Sequence, residues 1–252
     1  MTLGCVTKTS YISGAQLTGL TAGTNYFVTI TAVPPAGYVS ATTAASGATL
    51  ATVQLTAPTG VSLSNGTVAG SIAITFTAPG NAPGGQAFTA TACTNAGMTT
   101  GCVTGAITSG GNLTGLAYTQ GSAGTNYWVT VTATASSGYL VSPASAVTGP
   151  HADTSQLNAP TAVAAVTPGN PKGRLQVNFT ASSGIAPASY TATACTNVGM
   201  TIGCVSQTNF TSGSLITGLS TGTGYFVTVT AVPPSTAYLL ATSSPPSSGT
   251  SS

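Results

Sequence analysis

From Asn126 to Ala133 the chain alternates strictly. Tyr127, Val129, Val131 and Ala133 fall on one face, and Trp128, Thr130 and Thr132 on the other. That period of two marks a β-strand with one side against a core. The pattern recurs at Asn25-Tyr26-Phe27-Val28-Thr29-Ile30-Thr31 and at Gly224-Tyr225-Phe226-Val227-Thr228-Val229-Thr230. Ser71-Ile72-Ala73-Ile74-Thr75-Phe76-Thr77 reads as a further strand, with Leu175-Gln176-Val177-Asn178-Phe179 as its counterpart. Clusters of Gly, Pro, Asn and Ser punctuate such segments about every 8–12 residues. No window keeps a helical period. Many short alternating strands at this spacing predict an all-β protein built as two-sheet sandwiches.

The strands belong to a long repeat. Met1-Thr-Leu-Gly-Cys5-Val matches Met98-Thr-Thr-Gly-Cys102-Val and Met200-Thr-Ile-Gly-Cys204-Val, and Ala57-Pro58-Thr59 matches Ala159-Pro160-Thr161. A repeat near 100 residues is a whole domain rather than a solenoid unit. The expected organisation is therefore 1–53 as the C-terminal half of a first module, 54–152 as a second, complete module, and 153–252 as a third with a Ser/Pro-rich tail. The first module would lack the strands before its second cysteine and so expose one side of its core. It is expected to be completed by upstream chain or by a neighbouring subunit.

Leu20-Thr-Ala-Gly-Thr24-Asn-Tyr26 and Leu219-Ser-Thr-Gly-Thr223-Gly-Tyr225 resemble the Leu-x-Pro-x-Thr-x-Tyr segment of fibronectin type III domains. There the Tyr forms the tyrosine corner at the start of strand F. The resemblance extends to the Ala-Pro-Thr openings as strand A, with Phe76 and Phe179 where the family usually has a strand B Trp. It implies tandem fibronectin type III/immunoglobulin-like sandwiches, the first incomplete. Leu116 to Tyr127 contains five extra residues, so that corner is expected to bulge. The Cys-x8-Cys loop is not a hallmark of the family.

Composition narrows the function. Only Lys8, Lys172, Arg174 and Asp153 are charged, and the net charge is +2, too little to attract nucleic acid or anionic lipid. The 49 Thr and 28 Ser must wet the surface instead, and they also offer glycan attachment points. No apolar run is long enough to span a membrane. Cys93 and Cys102 are nine apart, as are Cys195 and Cys204. The spacing predicts one short disulfide loop per module, with Cys5 aligned to the second member of a pair whose mate is expected upstream. The alternative is five reduced, buried thiols. Disulfides would imply an oxidising compartment, extracellular or at the cell surface.

Candidate chemistry is sparse. His151 and Asp153 are the single histidine and the single acid, read as part of a solvated interdomain linker, with no Gly-x-Ser-x-Gly elbow. Cysteine spacing fits no metal site. No cofactor and no catalytic role is expected. Pro168-Gly169-Asn170-Pro171 followed by Lys172-Gly173-Arg174 reads as a solvated turn. Four sequons start at Asn65, Asn112, Asn178 and Asn209. Asn65 and Asn112 sit in loop-like contexts, and Asn178 alternates outward. Phe27, Trp128 and Phe226 each follow the corner Tyr and should point away from the core, as local packing, as an assembly contact or as a glycan platform. Together these features predict a structural repeat subunit of an extracellular, glycosylated fibre or surface appendage that self-associates. The alternatives are an adhesin stalk or carbohydrate-binding module, or a spacer in a secreted polysaccharide-active enzyme.

Overall fold

The computed structural model describes residues 4–168 and 172–252, and every regular element in them is a β-strand. The start of the first repeat motif and most of the Pro168–Pro171 turn lie outside the described residues.

Residues 57–152 build one sandwich. Strands β6 (Thr59–Asn65), β7 (Ser71–Thr77) and β10 (Gly111–Thr114) form a sheet in the order β10-β7-β6. Strands β8 (Phe88–Cys93), β9 (Val103–Ile107), β11 (Asn126–Ala133) and β13 (Thr148–Ala152) form the other, in the order β13-β11-β8-β9. All pairings within both sheets are antiparallel. The alternation seen in sequence is realised literally. Ile72, Ile74 and Phe76 from one sheet meet Ala90, Ala92, Tyr127, Val129 and Val131 from the other in a single core. Phe76 stacks edge-on against Phe88 at 4.8 Å. The small alanines of β8 let the sheets close over the larger residues of β7 and β11.

Residues 161–252 repeat this arrangement. Strands β15 (Thr161–Val166), β16 (Arg174–Thr180) and β19 (Leu215–Thr217) form one sheet. Strands β17 (Ser189–Cys195), β18 (Val205–Gln207), β20 (Gly224–Val232), β22 (Ala241–Thr242) and β23 (Ser247–Thr250) form the other. Leu175, Val177, Phe179, Tyr225, Val227 and Val229 fill the core between them. The Ser/Pro-rich segment expected to be a tail is thus an edge strand. β23 pairs with β20 from Gly224↔Thr250 to Val227↔Ser247. Its small side chains fit because Gly249 lies against Ala165 and Leu175, where a Cβ would come within 2.9 Å of both.

Residues 4–54 are organised differently. They hold only two-residue strands: β1 (Asn25–Tyr26) with β4 (Thr49–Leu50), β2 (Thr31–Ala32) with β3 (Ala41–Thr42), and β5 (Val53–Gln54), which pairs outside the segment. None of the described residues 4–54 is buried.

Two short parallel strand pairs complete the joints between units. β5 pairs in parallel with β12 (Tyr139–Leu140), and β14 (Ser155–Gln156) pairs in parallel with β21 (Tyr238–Leu239). Each linker is therefore hydrogen-bonded to the turn after the long central strand of the module that follows it.

Candidate functional site

Three features repeat from unit to unit, and their differences mark the candidate surfaces. The first is the corner tyrosine. The Tyr26 hydroxyl accepts the Thr21 amide at 3.0 Å, and that of Tyr225 accepts the Ser220 amide at 3.1 Å. The Tyr127 hydroxyl accepts the Ala117 amide at 2.9 Å across ten residues of chain rather than five. The five extra residues do more than bulge: they dock on the next module. The Gly121 amide donates to Gln156 O at 2.7 Å, and Gly121 O accepts the Ile185 amide at 2.8 Å. The Gln120 side-chain Nε2 donates to Leu157 O at 3.0 Å. Backbones approach so closely there that a Cβ on Gly184 would sit 2.1 Å from Gly121 O. Glycine is required at both contact points.

The second feature is the outer face of the larger sheet in each complete unit. The disulfides Cys93–Cys102 and Cys195–Cys204 each close a nine-residue separation. Trp128 stands directly across the strand pair from Cys93, and Phe226 directly across from Cys195. Opposed residues in antiparallel strands share a face, so each aromatic lies beside its disulfide, half-buried. Phe27, by contrast, is 68% exposed, because among the described residues its strand pairs only with β4. Over Phe226 the face forms a trough of about 540 Å³ lined by Thr196, Ser248 and Thr250. Cys5, aligned with Cys102 and Cys204, is exposed.

The third feature is the inner face of the central strand. Val129 and Val131, and likewise Val227 and Val229, are fully buried. Their equivalents Val28 and Ile30 are 37% and 55% exposed. Of the 20 large hydrophobic residues that stand exposed among the described residues, 11 lie in residues 6–53. The hydrogen bonding of this strand is nevertheless like that of its counterparts. The Ile30 amide donates to Thr43 Oγ1 at 3.1 Å, as Val131 does to Ser145 Oγ at 2.9 Å and Val229 to Ser243 Oγ at 3.0 Å.

His151 and Asp153 do not occupy a solvated linker. His151 lies in β13 opposite Tyr127, and its Nε2 is buried without a hydrogen-bond partner. Asp153 is 1% exposed at the joint. Its Oδ1 accepts the Thr125 amide, while its Oδ2 has no partner. Burial pushes this carboxyl above the usual range, opposed by the Thr125 bond. The equivalent residues Ala51 and Ser251 also donate their amides, to Thr24 O and Thr223 O, so the backbone joint does not need the acid. No group of three or more His, Cys, Asp or Glu able to hold a metal exists among the described residues.

The sequons are scattered. Asn65 ends β6 and Asn112 lies within β10, so both are strand positions rather than loops. Asn65 donates to Thr236 Oγ1 of the following module at 2.8 Å, and Asn112 to Thr67 Oγ1 at 2.6 Å. Asn178 is half-buried in β16, and Asn209 is exposed with φ of 52°. The joint was hidden from sequence reasoning. Its signal was the pair Thr52-Val53-Gln54-Leu55 and Thr154-Ser155-Gln156-Leu157, 102 residues apart.

The strand order, the face-to-face sheets and the corner hydrogen bonds define the architecture of both complete units. They are fibronectin type III-like sandwiches. No family model matches the chain, and no curated protein does. Among solved structures it is similar to the chicken CNTN1 FN1-FN3 domains, at 14% identity and a TM-score of 0.47, over 87% of this chain and 75% of that one. It is also similar to a two fibronectin type III domain segment from chicken tenascin, at 16% identity and a TM-score of 0.30, over 77% of this chain and 97% of that one. In the fibronectin type III-like units of this chain, the departures from internal symmetry are the docked corner of the second unit and the exposed first segment.

Proposed function

We propose that this chain is a structural repeat subunit of an extracellular, glycosylated fibre or surface appendage, and that residues 4–53 are a half sandwich completed by strands from outside them. One observation carries the reading. The same strand that is sealed at Val131 and Val229 is open at Ile30. Covering the exposed half of that side chain alone would contribute on the order of 1 kcal/mol, and Val28, on the same face of the strand, adds to the same surface. Linkers hydrogen-bonded to the following module favour an extended, stiff array. Two disulfides fit an oxidising compartment, and the hydroxyl-rich exterior fits glycan attachment, with Asn209 the most accessible sequon.

Analytical ultracentrifugation and negative-stain imaging across a concentration series test the proposal. Elongated oligomers that Ile30→Asn disperses are the expected result. A chain that stays monomeric at high concentration, with or without the substitution, removes the assembly reading.

The trough over Phe226 favours a second reading as a carbohydrate-binding module. An aromatic floor with hydroxyls around it and no charge suits the apolar face of a neutral sugar. Glycan-array binding lost in Phe226→Ala supports it; an unchanged or blank array removes it.

A further inference from the structure

The two joints within the chain follow one rule, and the first segment presents half of it. At the first joint the Val53 amide donates to Gly138 O at 3.0 Å and the Leu55 amide to Leu140 O at 3.3 Å. The Gln54 side-chain amide donates to Val141 O. At the second joint the Ser155 amide donates to Ala237 O at 3.0 Å and the Leu157 amide to Leu239 O at 3.0 Å. The Gln156 side-chain amide donates to Leu240 O at 3.3 Å. Leu55 and Leu157 are both fully buried. Leu157 packs among Ala231, Ala241 and Tyr238. The motif in both linkers is Thr-x-Gln-Leu, and the acceptor in both cases is a turn ending in Tyr-Leu.

The same turn exists a third time. In Pro35–Ala41 the Tyr38 amide donates to Pro35 O at 3.3 Å, matching Tyr139 to Ser136 O and Tyr238 to Ser235 O. The flanking pair Ala32↔Ala41 matches Ala231↔Ala241. The turn is therefore already formed in the bound shape. Yet Tyr38 is 75% and Val39 93% exposed. By position, the vacant acceptors are the carbonyls of Gly37, Val39 and Ser40.

We infer that the Tyr38–Val39 turn is a docking edge for an extended, uncharged Thr-x-Gln-Leu strand of an equivalent repeat module, paired in parallel as β5 and β14 are. The recognition is chemically specific. Backbone amides supply the ladder, the Gln amide supplies a third donor, and the Leu seats against Ala32, Ala41 and Tyr38. A preformed turn lowers the ordering cost of binding. The site goes beyond the fibre reading, since it would operate in a monomeric chain as well.

The test uses the full chain, isotopically labelled, and a synthetic peptide of the sequence Ala152–Pro160. Titration is expected to give saturable backbone shifts at Gly37–Ala41, with none at Gly138–Ser142 or Ala237–Ala241, whose partners are already in place. Replacing the peptide's Gln and Leu by Ala is expected to weaken binding about tenfold. Tyr38→Ser, a change at an exposed position, is expected to weaken it likewise. Absence of saturable shifts at 37–41, or equal shifts with a scrambled peptide, overturns the inference. So does concentration-dependent self-association through the turn that the peptide fails to displace. The fibre proposal fails separately, by the absence of oligomers, whatever the peptide does.

Discussion

Two substitutions at equivalent positions of one repeated strand make the sharpest test of the half-sandwich. Val131→Ala removes two methyl groups from a fully buried site. Transfer accounts for about 0.8 kcal/mol per group. If the surrounding side chains relax only partly, a cavity of roughly 40 Å³ adds about 1 kcal/mol. The expected cost is therefore about 2–3 kcal/mol. Ile30→Ala removes three carbons, but from a side chain already 55% exposed. Less than half of the transfer term applies, about 1 kcal/mol, with no cavity to add. The larger truncation should thus cost less. Trp128 is the only tryptophan and lies in β11, an interior strand of the second module's larger sheet, so its fluorescence in urea reports Val131→Ala. Amide hydrogen exchange at Asn25–Ala32 reports Ile30→Ala. Equal losses at the two sites in the monomeric chain would refute the reasoning, because they would mean that Ile30 is already covered. If assembly supplies the missing sheet, the cost at Ile30 should rise toward the 2–5 kcal/mol usual for core Ile→Ala in the assembled state only.

Three further outcomes follow from the geometry. Tyr127→Phe strands the Ala117 amide and loosens the docked corner, at a cost of about 1–2 kcal/mol; urea midpoints by Trp128 fluorescence check it, and Tyr26→Phe, in the exposed copy, should cost less. Asp153 has a folded-state pKa raised by burial, so its contribution is greatest below the unfolded pKa and is lost as pH rises through the folded one; Asp153→Asn should therefore be stabilising at neutral pH, on the order of 1 kcal/mol, and should flatten that decline in thermal melts across pH. Removing one disulfide as the Cys93→Ser, Cys102→Ser pair should destabilise the second module by about 2.7 kcal/mol from loop entropy, read by the same fluorescence, with the third module's unfolding unchanged.

Where alternation was strict, the sequence foretold the structure, because a two-sheet core demands one apolar residue in two. Strands β7, β11, β16 and β20 are of this kind, and so is the corner tyrosine. The edge strands were less legible. Ser247–Thr250 has no apolar residue and reads as a tail. It is a strand because Gly249 and its small neighbours fit over Ala165 and Leu175, and because its backbone completes the ladder on β20. Asp153 was misplaced for the opposite reason: an acid beside Pro and His suggests solvent, and only the joint's tertiary contacts bury it. The corner insertion was visible as five extra residues, but its partner, Gly184-Ile185, lies more than sixty residues away in sequence and carries no local signal. The outward aromatics were placed on the correct face, yet two of three are half-buried. Register with a cystine decides that, and a single strand's sequence does not contain register.

A chain with four charged residues cannot guard its sheet edges with lysines, as many β proteins do. It uses hydroxyls and prolines. In all three copies an amide of the central strand donates to a Thr or Ser hydroxyl on the neighbouring segment: Ile30 to Thr43, Val131 to Ser145 and Val229 to Ser243. The amides of those same residues donate back to the carbonyls of Ile30, Val131 and Val229. A side-chain oxygen standing where a carbonyl would stand turns the outer backbone out of a regular ladder. Pro143, Pro245 and Pro246 remove donors beside it. Such an edge offers an incoming strand no continuous row of partners, so sheet extension past that segment is disfavoured in both complete modules. The exposed apolar face at Val28 and Ile30 and the turn at Tyr38–Val39 lie elsewhere, on the first segment.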